Sequence, residues 1–153
     1  MKQKIYFEIL WIIATMVLVA LILTPIYFTV GHLYPFYFEN ILIIIIAITF
    51  GRYIFFLKHH WITYSIWFKV ILIFFPIGVF MFLIDSFYEF QRFFDEQGIR
   101  SIMDELPNHQ KNQMATFIRT EMVLFWAAAM LTNALLPIRM LISIWKKLNK
   151  GVH

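Results

Sequence analysis

Residues Val70–Ile84 read VILIFFPIGVFMFLI, fifteen positions without a charge, and the run stops at Asp85. A helix on the surface of a water-soluble protein needs a polar face every 3.6 residues, and this stretch has none. Its surroundings are therefore lipid or a fully covered core. The rest of the chain decides between them. Of 153 residues, 61% are hydrophobic and only 14% are charged, against about 25% charged in an ordinary soluble domain. A chain this short has too few polar residues to coat a core, which excludes a soluble globular protein.

A hydrocarbon layer of about 30 Å calls for a helix of about 20 apolar residues. Working outward from residues 70–84, four stretches meet that length: about 5–30, 36–57, 66–88 and 114–145. The first resembles a secretory leader in having basic residues ahead of an apolar run. It is longer than a leader core and lacks a small-x-small cleavage pattern, so it reads as a membrane helix. The expected fold is all-α, a single membrane domain over residues 1–153 built as a bundle of four transmembrane helices.

Four crossings place both termini on one side of the membrane. That side carries nine basic residues (Lys2, Lys4, Arg52, Lys58, Lys69, Arg139, Lys146, Lys147, Lys150) and one acid, Glu8. The other side carries four basic residues (Arg92, Arg100, Lys111, Arg119) and eight acids (Glu39, Asp85, Glu89, Asp95, Glu96, Asp104, Glu105, Glu121). Lys and Arg accumulate in cytoplasmic loops, so both termini are expected in the cytoplasm. The basic excess of the chain is then a topology signal, and nucleic acid is not an expected partner. Tyr27, Tyr34, Phe36 and Tyr37 are expected to form an aromatic belt at the outer interface, with Trp11, Trp61, Trp67 and Trp145 at the inner one. The short, loop-poor chain suggests a bacterial inner membrane.

Only one connection is large enough to do more than join helices. Asp85, Glu89, Arg92 and Glu96 follow a 4-3-4 spacing and share a helical face, so the third helix is expected to continue beyond the membrane to about Gln97. Gly98 is a natural stop. Residues 98–106 then read as a short amphipathic helix with Ile99, Ile102, Met103 and Leu106 on its apolar side, and Pro107 opens the turn into the fourth helix.

The polar residues of such a chain are its candidate chemistry. Asp85, Glu89, Arg92, Arg119 and Glu121 form a candidate outer cluster, either an ion-pair network with Asp85 against Arg119 or a docking face for a partner. Within the spans, Arg52 is expected to reach the headgroups or to pair with Glu8. Asn133 is expected to hydrogen-bond to another helix beside the small residues Ala127–Ala129. None of the five histidines lies inside a span, and the chain has no cysteine. No cofactor and no metal site is expected, and no phosphate-binding loop or nucleophile triad is present. The leading expectation is a non-enzymatic membrane subunit that scaffolds or regulates a larger complex. The alternatives are a small transporter or channel working as an oligomer, and a lipid-acting enzyme. The expected partners are the bilayer and another membrane protein or further copies of this chain.

Overall fold

The computed structural model describes residues 2–57, 66–96, 98–103 and 107–149. It is all-helical: α1 (Lys2–Val30), a 3₁₀ turn (Gly31–Leu33), α2 (Tyr37–Phe56), α3 (Ile66–Glu96), a second 3₁₀ helix (Ile99–Met103) and α4 (Asn108–Leu148). All four α-helices are long and apolar enough to cross a membrane. The 58–65 loop and the last part of the outer amphipathic segment, 104–106, lie outside the described residues.

Contacts between side chains fix the relative directions of the helices. Phe7 of α1 packs on Phe56 of α2, so these two run antiparallel. Asn40 meets Glu121 near the start of α2 and α4, and Arg139 meets Ile54 near their ends, so α2 and α4 run parallel. Lys69 at the start of α3 meets Ser143 near the end of α4, and those two are antiparallel. The start of α1 and the end of α4 therefore share one end of the molecule, the terminal end. Asp85, Glu89, Arg92 and Arg119 stand toward the far end.

The central element is α4, which packs along both α2 and α3, whereas α1 lies mainly against α2. The buried positions of α4 include Ala115, Ile118, Met122, Ala129, Asn133, Leu136 and Met140. Those of α3 include Lys69, Pro76, Val79, Leu83, Ser86 and Phe90. Both sets step by threes, fours and sevens, the heptad seam of helices that wrap around each other with a left-handed twist. Lipid is as apolar as leucine, so burial alone does not hold such a seam together. Close packing and interhelical hydrogen bonds must do it. Ala115 and Ala129 let the neighbouring backbones approach, and Met122 and Met140, both fully buried, fill the irregular spaces between.

At the far end the chain turns with Gly31 at φ +60°, a left-handed conformation that glycine adopts without strain. The phenol of Tyr37 donates to the Gly31 carbonyl at 2.8 Å. Tyr34 packs edge-on against Phe36 and Tyr37, and Phe36 packs on Phe90 and Phe93 of α3. Tyr34 and Phe36 are buried. They are a plug between the α1–α2 turn and α3 instead of the outer aromatic belt expected of them, because each ring has aromatic partners on neighbouring elements.

The third helix reaches Glu96, close to the expected stop. Gly98 follows at φ +70° and its N–H reaches the Phe93 carbonyl at 3.1 Å. The segment after it forms a 3₁₀ helix that packs on α1 and α4. Met103 is buried and Ile102 half-buried, so this turn rests on the bundle.

Gly51 lies within α2, beside Arg52. A Cβ there would stand 3.7 Å from Thr132 Cγ2, an ordinary van der Waals distance. Gly51→Ala is therefore expected to raise stability by about 0.5–1 kcal/mol, the usual gain on replacing a mid-helix glycine. Gly51→Leu should lower the melting temperature in detergent, because the larger side chain must displace Thr132. Equal effects of the two substitutions would contradict this packing.

Candidate functional site

Five of the polar residues that the apolar helices bury, Asn40, Arg52, Lys69, Glu121 and Asn133, meet a partner on another helix. Near the terminal end, Arg52 of α2 reaches Glu8 of α1, with Nη2 and Oε2 3.0 Å apart. Both side chains are largely covered, at 7% and 14% exposure. The same nitrogen lies 3.4 Å from the Tyr53 hydroxyl, and the guanidinium stands over the Tyr53 ring. A buried guanidinium is tolerated only with a counter-charge and hydrogen bonds, and Glu8 supplies the charge. This bond joins α1 to the rest of the bundle.

In mid-bundle, Asn133 donates from Nδ2 to the Pro76 carbonyl of α3 at 3.1 Å. Asn133 is thus placed against α3, at the proline inside that helix. One turn toward the far end from Leu83, the indole of Trp126 stacks on Phe87 with ring centroids 4.1 Å apart. Its Nε1 donates to the Leu83 carbonyl at 2.8 Å.

The far end holds a polar cluster that composition did not single out. Asn40 Nδ2 donates to Glu121 Oε1 and lies 3.5 Å from the Tyr34 hydroxyl. Asn40 is fully buried, Tyr34 is 2% exposed and Glu121 7% exposed. Burial pushes the Tyr34 phenol well above its ordinary pKa, and the nearby Glu121 adds to the shift, so the hydroxyl keeps its proton. Asn40 Oδ1 and Glu121 Oε2 have no hydrogen-bond partner.

The expected outer cluster divides. Asp85, Glu89, Arg92 and Glu96 are all exposed on one face of α3, as their spacing requires. Asp85 does not pair with Arg119, and among the described residues no ion pair involves either. The reason is rotational: the seam of α3 runs through Leu83, Ser86 and Phe90, and Asp85 and Glu89 lie on the opposite side. Arg119 instead stands over the Phe94 ring, with its Cζ 5.5 Å from the centroid. Glu121 leaves the cluster altogether, because its place on α4 faces α2.

Two further side chains, Lys69 and Arg139, entered the sequence analysis only in the charge count of the terminal side. Lys69 is 1% exposed and donates from Nζ to Ser143 Oγ at 2.9 Å. Arg139 donates from Nε to the Ile54 carbonyl at 3.0 Å. The signal available was positional: a polar residue one turn inside an apolar run has little choice but to find a partner. Among the described residues, no three His, Cys, Asp or Glu side chains gather as a metal site requires.

Glu8→Gln and Arg52→Gln should each lower the melting temperature in detergent, since either change leaves one buried polar group without its counter-charge. The double variant should lose less than the sum, with a coupling of about 1–3 kcal/mol. Strictly additive losses would contradict a direct pair.

No family model, curated protein or solved structure matches this chain.

Proposed function

We propose that the chain is a non-enzymatic subunit of a larger membrane assembly, which it scaffolds or regulates from within the bilayer. The observation that carries this reading is the unequal use of polar groups. Inside the helices they are taken up in ties between neighbours: Glu8 with Arg52, Asn40 with Glu121, Lys69 with Ser143, Asn133 with Pro76. Beyond the apolar block, by contrast, Asp85, Glu89, Arg92 and Glu96 form an exposed ladder that bonds to nothing among the described residues. A rigid helix that presents a fixed charge pattern suits recognition, since charged groups on an interface select partners and set register. With the basic terminal end in the cytoplasm, this ladder stands outside it, and a bacterial inner membrane is the proposed location.

A second reading, an oligomeric transporter, draws on Asn40 and Glu121. Their free oxygens are acceptors held between helices, the kind of group that marks ion or proton pathways in membrane proteins.

Native mass spectrometry of the tagged full chain, gently extracted from its own membrane, separates the two. The subunit reading expects a larger partner in fixed stoichiometry. Asp85→Lys combined with Glu89→Lys should weaken that association at least about tenfold by placing like charges against the partner, with the melting temperature unchanged because neither side chain touches the bundle. Recovery of a homo-oligomer without any partner would overturn the subunit reading in favour of the transporter.

A further inference from the structure

A cleft of about 390 Å³ opens at the far end between α4, the end of α3 and the turn at Gly98, lined by Phe94, Asn112, Thr116, Arg119 and Thr120 among others. We propose that this cleft binds the phosphodiester of a membrane phospholipid, with Arg119 as the phosphate-binding residue and an acyl chain lying along α4 below it.

The donors are all on one side of the ligand question. Asn112, Thr116, Arg119 and Thr120 lie on one face of α4, spaced by about a turn, and none of them makes a hydrogen bond or ion pair among the described residues. The threonines are informative here. Thr15, Thr24, Thr29 and Thr132 each turn the hydroxyl back to the carbonyl one turn earlier. Thr116 and Thr120 do not, and neither does Thr49 of α2; among the described residues the two hydroxyls at the cleft make no hydrogen bond. The guanidinium of Arg119 rests on the Phe94 ring, which steadies it while leaving its edge of N–H groups open. A planar, weakly hydrated cation with that edge free matches phosphate oxygens better than an ammonium does. The same side chain also borders a smaller cleft with Phe87, Gln91, Asp95 and Val123. Asp95 is the one acid there, and it forms no ion pair with Arg119.

The surface beneath the cleft points to a lipid as the source of the phosphate. One turn further into the apolar part of α4 lie Val123 and Leu124, 41% and 62% exposed. The line continues through Ala127, also exposed, to Leu131 at 62%. Thr120, Leu124, Ala127 and Leu131 step by four, three and four, a straight lane down one helical face. A soluble phosphate would use only the upper part of this arrangement. A phospholipid uses all of it, with the headgroup on the donors and a chain in the lane. The site is separate from the α3 ladder assigned to a partner protein, and its success or failure leaves that reading untouched.

The test is a thermal-shift titration of the delipidated full chain in detergent, with dioleoyl phosphatidylglycerol, dioleoyl phosphatidylcholine, dioleoylglycerol and inorganic phosphate as separate probes. Both phospholipids are expected to raise the melting temperature with saturation, while dioleoylglycerol and inorganic phosphate do not. Arg119→Gln should raise the apparent dissociation constant for both phospholipids at least about tenfold, the loss of one charge-assisted bond, and Thr116→Val with Thr120→Val should weaken it further. Arg92→Gln, the same charge change on an exposed residue of α3, should leave the titration as it is. Equal stabilisation by dioleoylglycerol would overturn the phosphate contact. So would an unchanged titration in Arg119→Gln, or an equal loss in Arg92→Gln, which would mean charge without a site. Stabilisation by inorganic phosphate to the same extent would overturn the lipid as ligand.

Discussion

A hydrogen bond between helices in lipid has no water competing for its partners, and among the described residues α4 takes part in five of them. It accepts from Asn40 and Lys69 through Glu121 and Ser143, and it donates through Trp126, Asn133 and Arg139. Two of these run to α2 and three to α3, spread from one end of the helix to the other. Individually such bonds contribute about 0.6 kcal/mol on average, which is small. Their effect is on uniqueness. A heptad seam of apolar side chains can slide by a turn at little cost, and every such slip would separate five donor–acceptor pairs, those of the buried Glu121 and Asn133 among them. The positions of Glu121, Trp126, Asn133, Arg139 and Ser143 therefore set the register of α2 and α3, and the far-end surfaces inherit their alignment from it.

The pattern of satisfied and unsatisfied atoms follows from helix chemistry. In a bundle made wholly of helices, backbone N–H groups are spent within each helix, whereas a carbonyl keeps a second lone pair. Side-chain donors therefore find partners on neighbouring backbones, and side-chain acceptors do not. The indole of Trp126, the amide of Asn133 and the guanidinium of Arg139 all end on carbonyls. Among the described residues the unpartnered buried atoms are mostly oxygens: Glu39 Oε2, Asn40 Oδ1, Glu121 Oε2 and Asn133 Oδ1, with Arg52 Nε the one nitrogen. Asn40 and Asn133 have the same imbalance, each using its NH₂ group and leaving its oxygen over.

This chemistry also explains what could and could not be read from the residues in order. The number of helices, their ends to within a few residues and the turn at Gly98 follow from length, charge and glycine, which act locally. The 4-3-4 face of Asp85, Glu89, Arg92 and Glu96 was legible because polar residues on an apolar helix mark their own side. The seam was not. Leu83 and Ile84 look alike, yet Leu83 is fully buried and Ile84 is 40% exposed; in lipid both faces are apolar and polarity no longer separates inside from outside. The Asp85–Arg119 pairing failed for that reason, since it assumed a rotation of α3 that only the seam defines. Glu8 with Arg52 needed no rotation to be foreseen, because two opposite charges at one depth have few other ways to be satisfied.

The same argument bears on α1. Its buried positions Thr15, Val19, Leu23, Ile26 and Val30 form a single narrow line, and Glu8 with Arg52 ties it to the bundle by charge. Thr15 does not help, because its hydroxyl returns to the carbonyl of its own helix. Most of the surface of α1 therefore faces outward, with residues such as Ile9, Leu10, Met16 and Leu21 exposed. The bundle thus divides into three helices tied to one another by hydrogen bonds through α4 and a fourth joined to them by an ion pair and a narrow apolar line.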